Sequence, residues 1–384
     1  MIPLRYNLRS LLERRTTSLM TVLGIALVAM IFVILFGFIG GIRQTMLNTG
    51  STQDWIVLNR GALDETFSYI THDKVNTVRV RPEIVTDTSG QPLVSSEVFA
   101  GVDVSPIKKI KAVALIRGVA PIAYKVHRSM RLASGHWPVR GQGQWVIGQK
   151  LELRYPNLAP GTLFHFGRRI WTIVGVFTDN DSARESEIWT DIDDLKVDAK
   201  NHTADTNSLH VLLTRGSETT FKHSLESQLS LDVESEAEYY SKQTSLVSQL
   251  RSLGLVIAIT LSVGATFGGM NTMYTAVGRR EMEIGVLRCL GFKRRDVMIS
   301  FVLESAMIGV IGGALAPPLA VIVAAATGLN SRLMQVGLLF FSYRLTGFAI
   351  GAGLVAALAI GICGGLLPAW RAARLRIVDS VRGA

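Results

Sequence analysis

Four stretches of this chain, residues 16–42, 252–278, 305–331 and 345–370, contain no Asp, Glu, Lys or Arg. That pattern leaves few folds open. A helix rises ~1.5 Å per residue, so a run of about 27 residues reaches ~40 Å, against a hydrocarbon core of ~30 Å. Each run is long enough to cross a bilayer with tilt or an extra turn, and too long for a buried globular helix.

The first run follows Arg5, Arg9, Arg14 and Arg15, which invites comparison with a secretory signal. Signal cores run to ~7–15 residues and end at a small-residue cleavage site. This run is about twice that length and leads into Gly40-Gly41-Ile42-Arg43 without such a site, so it is expected to persist as an anchor. Arg279, Arg280, Arg288, Lys293, Arg294 and Arg295 separate the second and third runs, and Arg371, Arg374, Arg376 and Arg382 follow the fourth. Cations collect on the cytosolic flanks of spans. All three clusters fall on one side if every run crosses, which puts both termini in the cytosol and residues 48–245 and 328–344 outside. Topology then explains much of the net charge of +10, and nucleic acid is not an expected partner. Cys289 falls in the cytosolic loop and Cys363 in span 4, so neither is placed for a disulfide.

Three segments follow. Residues 1–47 form an N-terminal helix and the first span, 48–245 an extracytoplasmic domain, and 246–384 three further spans with a cytosolic tail. The fold class is a membrane protein, α-helical with four transmembrane helices, carrying a large mixed α/β extracytoplasmic domain inserted between helices 1 and 2. In that domain Trp55–Leu58, Val75–Val80, Leu93–Val102, Ile170–Phe177 and Leu209–Leu213 read as strands between Gly, Pro, Asn and Asp turns. A strand at 208–214, a helix at 217–230, a strand at 231–234 and a helix from 236 close it. Leu246, Val247, Leu250, Leu253 and Ile257 keep helical spacing into span 2, which predicts a continuous stalk.

Several chemistries find no support. The chain has no G-x-x-x-x-G-K-[ST] phosphate cradle and so no nucleotide site of its own. The chain is therefore not expected to be an enzyme. The seven histidines, 72, 127, 136, 165, 202, 210 and 223, are scattered without metal-ligand spacing, so no metal site is expected. Asp179-Asn-Asp-Ser-Ala-Arg-Glu-Ser-Glu187 begins like a calcium loop, but Arg184 stands where an EF-hand needs Gly; a solvated loop is expected. The spans carry no ionisable residue mid-membrane, which argues against an ion pathway. They do carry glycine pairs at four-residue spacing, Gly37/Gly41, Gly264/Gly268, Gly309/Gly313, Gly347/Gly351 and Gly361/Gly365, that permit close helix approach. Pro317-Pro318 is expected to kink or break span 3.

Between spans 2 and 3 the sequence becomes an ordered charge pattern. Residues 279–291 read as a short amphipathic helix on which Glu281, Ile284, Gly285 and Arg288 mark successive turns, with Ile284, Leu287 and Leu290 as its apolar side. Asn271-Thr-Met, Arg280, Glu283-Ile-Gly285, Leu287-Arg288, Leu290-Gly291, Glu304-Ser305 and Ile308-Gly309 resemble the signature of FtsX-like permeases, a family that includes macrolide-exporter, lipoprotein-releasing and FtsX permeases. Pro368-Ala369, Arg371-Ala-Ala-Arg374 and Arg382 resemble its ending. Gly101-Val, Leu132-Ala-Ser-Gly135-His-Trp, Val146-Ile-Gly148, Pro160-Gly161 and Ile173–Val176 resemble the MacB-type periplasmic core domain. One position departs: Arg279 stands where the family usually has an acidic residue.

The resemblance implies the permease subunit of an ATP-binding cassette transporter in the inner membrane, coupling ATP hydrolysis elsewhere to export or to mechanical work outside. The chain begins directly at the permease, so it is similar to members that borrow a separate ATP-binding subunit. ATP and Mg would sit on that partner and no cofactor on this chain. Arg280, Glu281, Glu283, Ile284, Gly285, Leu287 and Arg288 would form the helix that couples to the ATPase, and Pro368, Arg371 and Arg374 a C-terminal cytosolic motif. A second permease subunit, identical or not, and membrane lipids are the other implied partners, with a periplasmic adaptor as an open addition. A competing reading is a membrane scaffold or sensor that regulates an envelope enzyme through the external domain.

Overall fold

The computed structural model describes residues 13, 15–104, 113–198, 206–243, 245–329, 333–336 and 338–375. The chain divides into two compact units: Met1–Gly40 with Ser248–Ser331 and Tyr343–Ala384, and Gly41–Val247 with Arg332–Ser342.

The first unit is helical. Four helices, α1 (Arg15–Thr49), α2 (Ser245–Gly278), α4 (Arg294–Ala326) and α5 (Gly347–Arg374), are long and apolar enough to cross a membrane, and the short α3 (Glu281–Cys289) lies between α2 and α4. Lipid offers backbone groups no partner, so charge-free runs of this kind satisfy their own hydrogen bonds as helices. Val22, Ile25, Ala29 and Val33 of α1 share a core with Met273 and Val277 of α2, Ile308, Ala316 and Ala320 of α4, and Ala357, Ile360 and Ala369 of α5.

Glycine decides how closely α4 and α5 approach. A Cβ added at Gly309 would lie 2.7 Å from the Ala357 carbonyl oxygen, and one at Gly361 2.6 Å from that of Ser305. Gly309/Gly313 and Gly361/Gly365 thus build the expected seam, whereas Gly264, Gly268, Gly347 and Gly351 face open space within the chain. Of the kink or break expected at Pro317-Pro318, a break does not occur, since α4 stays helical through both residues. Of the orienting cations, Arg5, Arg9, Arg14, Arg376 and Arg382 lie outside the described residues.

The second unit is built on a mixed sheet. Its strands are β1 (Asp54–Asn59), β2 (Val94–Asp103), β3 (Val113–Val119), β4 (Arg131–Gly135), β5 (Gln144–Gly148), β6 (Leu163–Phe166), β7 (Arg169–Thr178), β8 (Glu187–Asp191), β9 (Ser208–Leu212) and β10 (Leu231–Ser235). They run in the order β10-β1-β9-β2-β3-β8-β5-β7-β4, with β6 on β7; β3/β8 and β5/β7 are parallel. Side chains alternate across a sheet, so each strand feeds two faces. Val57, Leu209 and Val211 pack with Phe221 and Leu225 of the helix Glu218–Gln228, while Trp145, Ile147, Trp171 and Ile173 build a second core with Leu151 and Tyr155.

The strand-helix-strand-helix ending is found as expected, with β9, Glu218–Gln228, β10 and the helix Glu236–Gln243 in that order. The join between that last helix and α2 is at Thr244, outside the described residues, as is the stalk's continuity there. Val75–Val80 is not a strand: it falls in the helix His72–Arg79 and its C-cap, because Val75 and Val78, three apart, bury one helical face. The loop 328–344 also holds more than a turn. Strands β11 (Met334–Val336) and β12 (Leu339–Phe341) form a hairpin, and Phe340 enters the Trp145–Trp171 core while its N–H donates to Ser186 Oγ at 2.9 Å.

Candidate functional site

Two arrangements of charge stand out, one in each unit. In the helical unit, α3 begins at Arg280, whose side chain is buried and pairs with Glu304 of α4 at 3.2 Å and, more loosely, with Glu283 at 3.9 Å. A buried carboxylate and guanidinium tolerate desolvation only as a pair, and removing one partner of such a pair typically costs about 3–5 kcal/mol. The start of α3 is thereby tied to the third turn of α4. Glu281 and Glu283 occupy its first turn and Arg288 its last, the order that suits the helix dipole. Its end is closed by Gly291 at φ +95°, with the Gly291 N–H bonded to the Arg288 carbonyl and the Phe292 N–H to the Leu287 carbonyl. This is a Schellman turn, which asks for glycine at that place.

The helix is rotated from its sequence-based reading. Ile284 and Gly285 are buried, Leu287 and Arg288 half-buried, and Glu281 and Glu283 exposed. Leu290, expected on the apolar side with Ile284, is exposed instead. It joins Met282 and Val286 in an outward apolar stripe at four-residue spacing, with 72%, 62% and 49% of their surfaces exposed for Leu290, Met282 and Val286. In the C-terminal motif, Pro368 is buried within α5, the exposed Arg371 guanidinium lies 5.7 Å from the Tyr274 ring of α2, and that of Arg374 lies 3.9 Å from the Trp370 ring. The structure thus joins Arg280 to Glu283 and Glu304, seats Ile284 in a core with Val297 and Phe301 of α4, and keeps Arg371 near the C-terminal end of α2.

In the α/β unit a network of charge is buried where sequence reasoning placed none. Alternation along β2 and β9 puts Ser95, Glu97, Ser208 and His210 on one face. Arg117 of β3 reaches the same face and binds Glu97, Glu187 (2.7 Å) and Glu65 (3.3 Å). His210 is held between Glu65 at 2.6 Å and Glu236 at 3.1 Å, and His127, at the end of the short helix Ala123–Val126, meets Glu97 at 2.8 Å. Arg184 bonds Asp179 at 3.0 Å, Glu236, and the Thr49 carbonyl at 3.2 Å. The acidic stretch 179–187 is therefore not a solvated loop. Asp179, Arg184, Glu185 and Glu187 are buried, because Arg184 turns inward to neutralise Asp179 of the same stretch and the distant Glu236.

Burial alone would lower the basicity of His210, but Glu97 and Glu65 outweigh it and push it up to about 10. Burial would raise the Glu65 carboxyl, yet Arg117 and His210 hold it down at about 2. Glu97 and Glu236 are shifted downward in the same way, by His210 and Arg117 and by Arg184 respectively. The site concentrates negative charge and draws cations into it. No local motif signalled it, since its members stand between residues 65 and 236. Of the other histidines, 72, 136, 165 and 223 are exposed and 202 is outside the described residues.

An α/β domain inserted after the first of four apolar helices, followed by a charged helix between the second and third, defines a class of membrane protein. Residues 18–227 match the MacB-like periplasmic core domain and residues 255–377 the FtsX-like permease C-terminal domain. The chain belongs to this MacB/FtsX-like family of ABC transporter permeases. It is 30% identical over 149 residues to an uncharacterized ABC transporter permease of Methanocaldococcus jannaschii, covering 38% of this chain and 37% of that one. It is 36% identical over 126 residues to the macrolide export ATP-binding/permease protein MacB of Brucella abortus, covering 32% and 18%. The aligned stretches thus span well under half of these relatives' own lengths. The crystal structure of the periplasmic region of MacB from Actinobacillus actinomycetemcomitans aligns at 14% identity and a TM-score of 0.38, over 53% of this chain and 96% of that one.

Proposed function

We propose that this chain is the permease subunit of an ATP-binding cassette transporter that uses α3 to engage a separate ATP-binding subunit and passes the work of nucleotide hydrolysis to the inserted α/β domain. The observation that carries this reading is the outward stripe Met282, Val286 and Leu290 on a helix braced by the buried Arg280–Glu304 pair. Apolar side chains at four-residue spacing on an exposed helix fit a groove in a partner, and a braced helix transmits force where a loose loop yields. In this reading ATP and Mg belong to the partner, both chain termini and α3 are cytosolic, and the α/β domain lies outside. The hairpin β11/β12 favours that orientation, because the loop between α4 and α5 packs in the same unit as the domain inserted between α1 and α2. A second permease subunit completes the assembly.

The test is to co-express the chain with a candidate ATP-binding subunit from the same organism and measure ATPase activity of the purified complex in a bilayer. Val286→Asp and Gly285→Trp are expected to abolish permease-dependent stimulation, while the chain still inserts. Unaltered stimulation in both variants would overturn the proposal, and purification of the intact chain with an envelope enzyme but no ATP-binding subunit would favour the scaffold or sensor reading.

A further inference from the structure

We propose that Glu65, Glu97, His127 and His210 form a structural site for a divalent transition metal, zinc by ligand type, inside the α/β domain. His127 Nε2 lies 2.8 Å from Glu97 Oε1, and His210 Nε2 lies 3.4 Å from Glu97 Oε2 and 2.6 Å from Glu65 Oε1. Ligand atoms of Glu97, His127 and His210 all fall within 4.8 Å of one another. Zinc bonds of ~2.0–2.1 Å in a tetrahedral shell put ligand atoms ~3.3 Å apart, so small movements of these side chains accommodate the ion.

Three features separate this cluster from an ordinary ion-pair network. Both imidazoles direct Nε2 to the carboxylates of Glu97 and Glu65 and turn Nδ1 toward one oxygen of Glu236, at 3.1 Å for His210 and 3.8 Å for His127. For His210 this is a hydrogen bond through the far nitrogen onto a carboxylate, the usual outer-shell arrangement of a metal-ligating histidine, whereas His127 is only turned toward Glu236 without bonding it. Next, His127 is fully buried, and its Nε2 meets only the Glu97 carboxylate while its Nδ1 has no hydrogen-bond partner, so the ring is held by one hydrogen bond and can shift toward an ion. Finally, the carboxylates of Glu65, Glu97, Glu187, Glu236 and Asp179 outnumber the guanidinium groups of Arg117 and Arg184 that they share, an excess met within the network either by the His210 imidazolium or by a bound cation. A dication among neutral imidazoles reduces that excess where water cannot.

Glu97, His127 and His210 would supply three ligands and Glu65, now 2.6 Å from His210, the fourth; two histidines and two carboxylates would then fill a tetrahedral shell and leave no position for substrate, which makes the site structural. It would bind β2, β9, the turn at Glu65 and the end of the Ala123–Val126 helix to one point, with Glu236 at the start of the helix Glu236–Gln243 behind the imidazoles.

The experiment uses the full chain, purified in detergent without a polyhistidine tag or chelator, and measures zinc by mass spectrometry. About one zinc ion per chain is expected; stripping it should lower the thermal midpoint, and Zn²⁺ should restore it. Co²⁺ in its place should give the visible bands of a tetrahedral site. His127→Ala is expected to lose the metal, and the exposed His223→Ala to keep it. If His127→Ala does not fold, the cobalt spectrum of the unaltered chain decides. A folded chain that holds no stoichiometric metal, and whose thermal midpoint does not respond to added Zn²⁺, overturns the proposal and leaves a network held by protons alone.

Discussion

Arg280 and Glu304 show how a single pair of residues fixes the short helix α3 against α4. They stand 24 positions apart and both are buried, so each is acceptable only because of the other. Glu304→Ala is expected to destabilise the chain by about 3–5 kcal/mol, while Arg280→Met with Glu304→Leu recovers most of that loss. Thermal unfolding of the single and double variants in detergent checks this, and equal losses in both would refute the pairing. At the α4–α5 seam, Gly361→Leu drives a side chain into the Ser305 carbonyl, whereas Gly264→Leu meets nothing in the chain. Folded yield should fall sharply for the first and little for the second, as read by gel filtration in detergent.

Among the elements, periodicity and length were legible in the sequence and rotation was not. Charge-free length identified α1, α2, α4 and α5, and the order of residues 208–243 gave its four elements. Val75 and Val78 were misread because short apolar spacings fit either a strand or one helical face. In α3 the apolar positions were visible, but which of them faced inward depended on Glu304 in the next helix. The same element gives a test of sidedness. Cys289, exposed at the end of α3, should react with a membrane-impermeant maleimide only after the cytosolic face is opened. A Cys363→Ser background removes the other thiol, and labelling of Cys289 in intact cells would reverse the proposed topology.

For the whole molecule, sequence captured the plan of four long helices and an inserted domain because bilayer thickness imposes it. It could not capture the buried network. Glu65, Glu97, Arg117, His127, Arg184, His210 and Glu236 come from separate strands, turns and a helix start and meet only when the sheet is assembled. Arg117→Met should strand Glu65, Glu97 and Glu187 without their shared cation and cost about 3–5 kcal/mol, read as a lowered thermal midpoint. Contact of α3 with an ATP-binding subunit, as proposed, can be trapped directly. A photo-crosslinking amino acid at Val286, in the outward stripe, should capture the ATP-binding subunit in membranes, while the same probe at the buried Ile284 should not. Capture of the ATP-binding subunit by neither position, in membranes where both proteins are present, would contradict the account.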